Sequence, residues 1–295
     1  ECDLLIALGA RFDDRATGKV ARFCPNASIV HVDIDAAELG KIKHPTVGMA
    51  ADVKCVLEQL LPLVQANARD AWIGRVNELK ARFPLQMPQA DDPLSPYGLI
   101  LAVARTLDDA IVATDVGQHQ MFTAQAYPLR RPRRWLTSGG LGTMGFGFPA
   151  AIGAALARPE ATVVCFSGDG SFLMNIQELA TAVEHNVNVK IVIMNNNSLG
   201  LVRQQQELFY QKHFYACDFA ARPNFAAIAR GFGMHAVDLE GAEDPAGMLA
   251  EALRRPGPCL IHAPIATDEI VFPMVPPGAA NTDAIGGLAH EPALA

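Results

Sequence analysis

Short apolar runs that stop at glycine, an acid or an amide alternate with segments of helical periodicity, and this alternation restricts the fold most. Leu4-Leu5-Ile6-Ala7-Leu8 stops at Gly9, and residues 28–35 end in acidic side chains. Residues 110–114, 162–167 and 190–194 repeat the pattern. Runs this short and this apolar read as strands, and strands alternating with helices imply parallel sheets covered by helices on both faces. The expected class is therefore α/β, with doubly wound parallel sheets. Residues 4–8 are expected to be a buried strand, although nothing precedes them that supplies the usual helix and partner strands.

Helices are predicted over 53–64 (apolar Val56, Leu57, Leu60 and Leu61), 71–82, 97–107, 149–157 and 175–185. The fourth of the apolar runs is followed by one of them, with Ile176, Leu179, Ala180 and Val183 assigned to its inner face. Ser95-Pro96 is a helix start, with serine as cap and proline at the first position. Pro84, Pro88, Asp91, Asp92 and Pro93 punctuate the chain before it. The resulting division is an incomplete α/β domain over 1–64, a linker over 65–94, a complete α/β domain over 95–270, and a Pro/Gly-rich tail over 271–295.

Composition narrows the function classes. The chain has 295 residues, 50% hydrophobic and 19% charged, which is globular. A net charge of −7 argues against nucleic acid or an anionic membrane as partner. No apolar run approaches the ~18 residues of a membrane span. Six cysteines without a Cys-x-x-Cys pair indicate neither a disulfide framework nor a zinc site, and a reducing cytoplasm fits them best. The run Arg130-Arg131-Pro132-Arg133-Arg134 reads as a solvated loop.

The chemistry concentrates in two turns. Ser167-Gly168-Asp169-Gly170-Ser171 follows an apolar strand, so Asp169 stands at the carboxyl end of a parallel strand, where open α/β sheets bind ligands. The glycines admit a close ligand, and free amides beyond them favour a phosphate. One crossover of roughly 30 residues later, Asn195-Asn196-Asn197-Ser198 ends the next apolar strand. A carboxylate, an amide oxygen and a backbone carbonyl at neighbouring strand ends suit magnesium completed by diphosphate oxygens. Either turn alone is a common structural device; the pair at this spacing favours the ligand.

The loop Gly139-Gly140-Leu141-Gly142-Thr143-Met144-Gly145 formally contains G-x-G-x-x-G. A dinucleotide site is not expected there. Residues 133–136 are a poor strand, and Cys165 stands about twenty residues on, where the acid would be. Met144 reads equally as an apolar wedge under a ring or as core. His119, in Thr114-Asp115-Val116-Gly117-Gln118-His119, reads equally as a polar contact or a satisfied loop histidine.

Taken in order along the chain, these residues resemble a known family. Gly168-Asp169-Gly170 followed by Asn195-Asn196 resembles the cofactor motif of enzymes dependent on thiamine diphosphate and magnesium. Leu8-Gly9-Ala10-Arg11-Phe12-Asp13-Asp14-Arg15, residues 114–119, 138–145 and 195–210, and Pro273-Met274-Val275-Pro276-Pro277-Gly278-Ala279 look like the acetolactate (acetohydroxyacid) synthase large-subunit family. The enterobacterial isozyme I type is the most similar.

The resemblance implies that Asp169, Asn196 and the Ser198 carbonyl hold Mg2+. It implies that Val116, Gly117, Gln118, His119, Gly142, Met144, Gly170, Ser171, Gly200 and Leu201 surround thiamine diphosphate, with Met144 as the wedge that bends it. Arg11, Asp33, Ile34, Asp52 and Val53 would line a site for FAD in a Rossmann-like central domain, and Arg15 would face the second keto acid's carboxylate. The implied reaction decarboxylates pyruvate and condenses the two-carbon unit with pyruvate or 2-ketobutyrate, in branched-chain amino acid synthesis.

Gln205 stands where many members carry a tryptophan that favours 2-ketobutyrate. Losing that apolar surface implies weak preference between acceptors. A homodimer or tetramer of large subunits and a regulatory small subunit are the implied partners. The resemblance also implies that a pyrimidine-binding domain with the activating glutamate, and the first half of the FAD domain, lie outside these residues, leaving the chain alone inactive. The rival readings are another carboligase or decarboxylase of the same cofactor, and a subunit that binds the cofactor without catalysis.

Overall fold

The computed structural model describes residues 1–286, which form two compact units. The first comprises 1–86 together with the segment from Phe272; the second is Met87–Val271. The end of the expected tail, 287–295, lies outside the described residues.

The first unit is built on a three-stranded parallel sheet, β1 (Leu4–Leu8), β2 (Ser28–Asp33) and β3 (Val47–Ala50), in that spatial order. Helices α1 (Asp14–Thr17), α2 (Val53–Leu60) and α3 (Asp70–Arg82) accompany it. Expected burial of β1 is only half met. Leu5 and Ala7 pack with Phe12, Phe23 and Ile29, whereas Leu4 and Ile6, on the opposite face by strand alternation, are 48% and 52% exposed.

The helix expected over 53–64 stops at Leu60, because Pro62 withholds an amide and the chain tightens into a 3-10 turn, Leu61–Leu63. Leu60 and Leu61, two of its apolar positions, are exposed. The stretch read as a linker carries α3, whose Arg75 grips Glu1 at 2.7 Å. The segment after Phe272 belongs to this unit. Gly18 bridges Ala280, and Arg22 pairs with Asp283 at 3.0 Å. Every described cysteine is a free thiol.

The second unit runs α4 (Pro96–Thr106), β4 (Ile111–Thr114), α5 (Gln118–Ala126), β5 (Trp135–Leu136), α6 (Gly147–Ala157), β6 (Val163–Gly168), α7 (Asp169–Phe172), α8 (Leu179–Glu184), β7 (Val189–Asn195), α9 (Gly200–Phe209), α10 (Phe225–Gly231), β8 (His235–Asp238), α11 (Pro245–Arg254) and β9 (Cys259–Pro264). Its sheet is wholly parallel, in the order β5-β4-β6-β7-β9-β8.

Strand alternation splits the core in two. Val164, Phe166 and Val192 pack with Leu99 and Ile100 of α4, Phe122 of α5 and Leu253 of α11. Val163, Cys165 and Ile191 pack with Phe148 and Ile152 of α6, Leu179 of α8 and Phe225 of α10. Helices thus cover both faces, as the apolar runs required. After β4 the chain goes outward to β5 and returns to β6 on β4's other side. The carboxyl ends of β4 and β6 therefore flank a topological switch point, where such sheets open a crevice.

Three local expectations are corrected. Trp135 and Leu136 do form a strand, paired in parallel with Val112 and Ala113. The helix after Asp169 is not continuous over 175–185. It is a single turn, α7, then a break at Asn175, a 3-10 turn and α8. Asn175 donates its side chain to the Gly145 carbonyl, a competing bond of the kind that interrupts helices. The buried face of α8 consequently carries Leu179 and Ala182, and Ala180 is exposed. Among the described residues no helix is long and apolar enough to cross a membrane.

Candidate active site

The carboxyl ends of β4, β6 and β7 enclose a cleft at the place where sheets of this kind bind ligands. Val116, Gly117, Gln118 and His119 reach it from the β4 side, Gly168 to Ser171 from β6, and Asn196, Ser198, Gly200 and Leu201 from β7, with Met144 from the glycine loop. Of the residues assigned to thiamine diphosphate, only Gly142 does not line it. Gly142 sits in the loop's left-handed turn at φ +65°, where a side chain would be strained. The three assigned metal ligands line the same cleft, as does Gln205.

His119 is not a satisfied loop histidine. It lies on the first turn of α5, buried, with Nε2 lacking any partner, and burial pushes its pKa down to about 3. The ring is therefore neutral at physiological pH.

Asp115 is the organiser that sequence reasoning missed. Its carboxylate, at the end of β4, accepts from the amides of Val116 (2.8 Å), Gly145 (2.8 Å) and Gly147 (3.1 Å). It thereby fixes the loop that carries Met144, and burial still pushes its pKa up. No local signal marks a partner thirty residues away. Phe122, Met194, Leu199, Val202 and Ile265, further lining residues, were missed for the same reason.

The donor groups are tightly held. Gln118 gives its amide to Gln204 Oε1 and to the Glu269 carbonyl, both at 2.8 Å, and accepts from Asn196 Nδ2 at 3.2 Å. That fixes which way Asn196 turns its oxygen, which accepts from the Ser198 amide at 3.1 Å. Asp169 accepts from the Gly170 amide at 2.8 Å. Burial pushes its pKa up to about 6, and the amides of Gly170, Ser198 and Asn197 offset this only in part.

This site passes a test of fit for a metal and a phosphorylated cofactor. A buried carboxylate held short of full stabilisation, an amide oxygen and a backbone carbonyl form a hard-oxygen set. The glycines are needed for space. A Cβ on Gly200 would lie 2.0 Å from Gln118 Oε1, and one on Gly170 would lie 2.8 Å from Leu199. His119 Nε2 is a buried polar atom awaiting a partner.

The remaining assigned residues belong to the first unit, at the carboxyl edge of its sheet. Asp33 ends β2 and accepts from the Asp35 amide at 2.9 Å. Asp52 caps α2 through the amides of Lys54 and Cys55, and Val53 is the first residue of that helix. Ile34 is 77% exposed. Arg11 is half-exposed beside Asp13, and Arg15, on α1, pairs with Asp14 at 2.7 Å.

Comparison with known proteins agrees with this geometry. Residues 115–263 match the family model described as thiamine pyrophosphate enzyme, C-terminal TPP binding domain, and residues 1–60 match thiamine pyrophosphate enzyme, central domain. The chain is 62% identical to the acetolactate synthase isozyme 1 large subunit of Escherichia coli (strain K12), over 97% of this chain and 51% of that protein. It is 46% identical to the acetolactate synthase large subunit of Parasynechococcus marenigrum (strain WH8102), over 100% and 48%. Identity to the E. coli isozyme 2 large subunit is 44%, over 96% and 51%. The chain spans about half the length of these relatives. With residues 115–263, half of the chain, matched by that model, the chain belongs to the thiamine pyrophosphate enzymes.

Proposed function

We propose that this chain serves an acetolactate synthase, decarboxylating pyruvate and joining the two-carbon unit to a second 2-keto acid to give 2-acetolactate or 2-aceto-2-hydroxybutyrate. The observation that carries the reading is the gathering of Asp169, Asn196, Ser198, Met144 and Gln205 around one cleft. The likeness to acetolactate synthase large subunits supports it.

Thiamine diphosphate, when bound, supplies the nucleophilic carbon and the electron sink for decarboxylation. Asp169 and Asn196 side-chain oxygens and the Ser198 carbonyl would hold Mg2+, whose charge would offset that of the diphosphate. Gly168 and Gly170 let it approach the backbone. Met144, on the Asp115-pinned loop, would give the cofactor an apolar support. The apolar lining from Phe122, Met194 and Ile265 excludes water from the reacting centre. Neutral His119 offers Nε2 to a polar atom of the cofactor without adding charge. Gln205, a polar side chain at the cleft, leaves the acceptor's alkyl group little apolar surface, so the enzyme discriminates weakly between pyruvate and 2-ketobutyrate. For Arg15 we assign the acceptor's carboxylate as partner, a charge-assisted pair replacing Asp14.

In the first unit, Asp33 and Asp52 already satisfy backbone amides. Arg11, Ile34 and Val53 are the groups left open to a flavin nucleotide, and FAD is assigned there. Association of large subunits, a regulatory small subunit and a cytoplasmic location complete the proposal.

The test is calorimetry with thiamine diphosphate and Mg2+, then product analysis from pyruvate in the protein that carries this chain. Mg2+-dependent cofactor binding and acetolactate are expected. Acetaldehyde as sole product would assign a decarboxylase, binding without product would assign a non-catalytic subunit, and no binding would overturn the site.

A further inference from the structure

Beside the cleft, three polar side chains that do not line it form a line. Asp238 ends β8, His262 lies mid-way along β9, and Asn195 ends β7. The sheet register sets His262 opposite Asp238 on one side and Ile193 on the other. His262 Nδ1 lies 2.7 Å from Asp238 Oδ1, and His262 Nε2 lies 2.9 Å from Asn195 Nδ2. Asn195 Oδ1 accepts from the Asn197 amide at 3.0 Å. His262 and Asn195 are both buried, and the Phe225 ring lies against the imidazole.

The hydrogen-bond roles along this line are fully determined. An amide nitrogen only donates, so His262 Nε2 accepts and carries no proton. Nδ1 faces a carboxylate, so it carries the proton and donates. The imidazole is the neutral Nδ1–H tautomer, held by Asp238, and it dictates the orientation of the Asn195 amide. Asn195 then has only its oxygen to offer the Asn197 amide. Asn197 sits at φ +55°, a left-handed conformation that costs a non-glycine residue energy unless its surroundings impose it. It lies between Asn196 and Ser198, two of the three residues assigned to the metal.

We propose that Asp238 and His262 are positioning residues for the metal site, acting through Asn195 to hold the 195–198 turn in its ligating shape. The inference rests on the Mg2+ assignment to Asp169, Asn196 and Ser198. Neither Asp238 nor His262 lines the cleft, and neither belongs to the Gly-Asp-Gly and Asn-Asn motifs. Partners behind metal ligands of this kind typically govern affinity by about 10–100-fold.

The experiment titrates Mg2+ at saturating thiamine diphosphate by calorimetry, with thermal melts alongside, in wild type, His262→Leu, His262→Gln, Asn195→Ala, the double variant His262→Leu/Asn195→Ala, and Asp169→Asn. His262→Leu should raise the Mg2+ dissociation constant by about 10–100-fold. His262→Gln should recover most of the loss, because a carboxamide can both donate to Asp238 and accept from Asn195. The double variant should be little worse than either single one, since both break the same line.

Wild-type affinity in His262→Leu, no recovery in His262→Gln, or losses that simply add would each overturn the proposal. Asp169→Asn separates it from the reading beneath. If Asp169→Asn abolishes Mg2+ binding while His262→Leu does not alter it, the metal assignment stands and the positioning line falls. If Mg2+ binding survives Asp169→Asn and is lost in His262→Leu, the ion sits at the Asp238, Glu240 and His262 cluster, whose ligand atoms lie within 4.8 Å of one another, and both readings fall.

Discussion

Asp169→Asn should stabilise the metal-free protein while destroying its metal site. In the folded chain the Asp169 carboxyl titrates at about 6, raised by burial from an ordinary 3.8. Below about pH 4 the group is protonated both folded and unfolded, and it costs nothing. As the pH rises from about 4 to about 6 the unfolded chain releases its proton first, so stability falls. Above about 6 the full penalty applies, about 3 kcal/mol on 1.36 kcal/mol per pH unit. Asparagine carries no charge, and its oxygen can still accept from the Gly170 amide.

Its NH2 group, however, no longer attracts the amides of Ser198 and Asn197, which keep the Asn196 and Asn195 side-chain oxygens as acceptors, a loss of about 1 kcal/mol. The net gain is about 2 kcal/mol, or roughly 4–8 °C in melting temperature for a unit of this size. Thermal melts in a chelator at pH 7.5 and pH 4 read it directly. The gain should appear at pH 7.5 and vanish at pH 4. Adding Mg2+ and thiamine diphosphate at a hundred times their dissociation constants should then stabilise wild type by about 2.7 kcal/mol and the variant not at all, reversing their order. A variant less stable than wild type in chelator at pH 7.5, or a gain of equal size at pH 4, would refute the reasoning.

Three further outcomes follow from particular contacts. Gly200→Ala drives a methyl into Gln118 Oε1 and Asn196 Nδ2, at 2.0 and 2.4 Å, so it should abolish Mg2+-dependent thiamine diphosphate binding in calorimetry. Lys190, buried with its ammonium on the Arg255 and Gly257 carbonyls, has its pKa pushed down to about 8 by burial. The folded state thus disfavours the charged form. Denaturant melts should show wild type gaining on Lys190→Met as pH rises from about 8 toward 10.5. Gln205→Trp restores a broad apolar wall at the cleft, and in competition assays it should shift acceptor use toward 2-ketobutyrate by about 10-fold, the worth of one well-packed methylene.

Legibility in the sequence followed the range of the interactions. Asp169 and Asn196 were readable because each stands directly after an apolar strand, and one crossover length brings the two strand ends together. The parallel sheet was readable in class because the runs that form β4, β6 and β7 are mostly apolar. Asp115 was not readable, since its role depends on amides at Gly145 and Gly147 that the fold returns to it. The broken helix after Asp169 was hidden for the same reason, because Asn175 abandons helical bonding for the Gly145 carbonyl. In the first unit apolarity misled. Leu4 and Ile6 look like core in sequence, yet they lie on the sheet face that Phe12 and Phe23 do not cover. Gly142 was assigned by resemblance and stands in the loop, outside the cleft lining.

The most direct test is a crystal structure of the protein with thiamine diphosphate and Mn2+ in place of Mg2+, located by anomalous scattering. A single peak within bonding distance of the Asp169 carboxylate, the Asn196 amide oxygen and the Ser198 carbonyl, with diphosphate beside it, is the predicted result. A peak at Asp238, Glu240 and His262, or cofactor density away from the Met144 side of the cleft, would contradict the account.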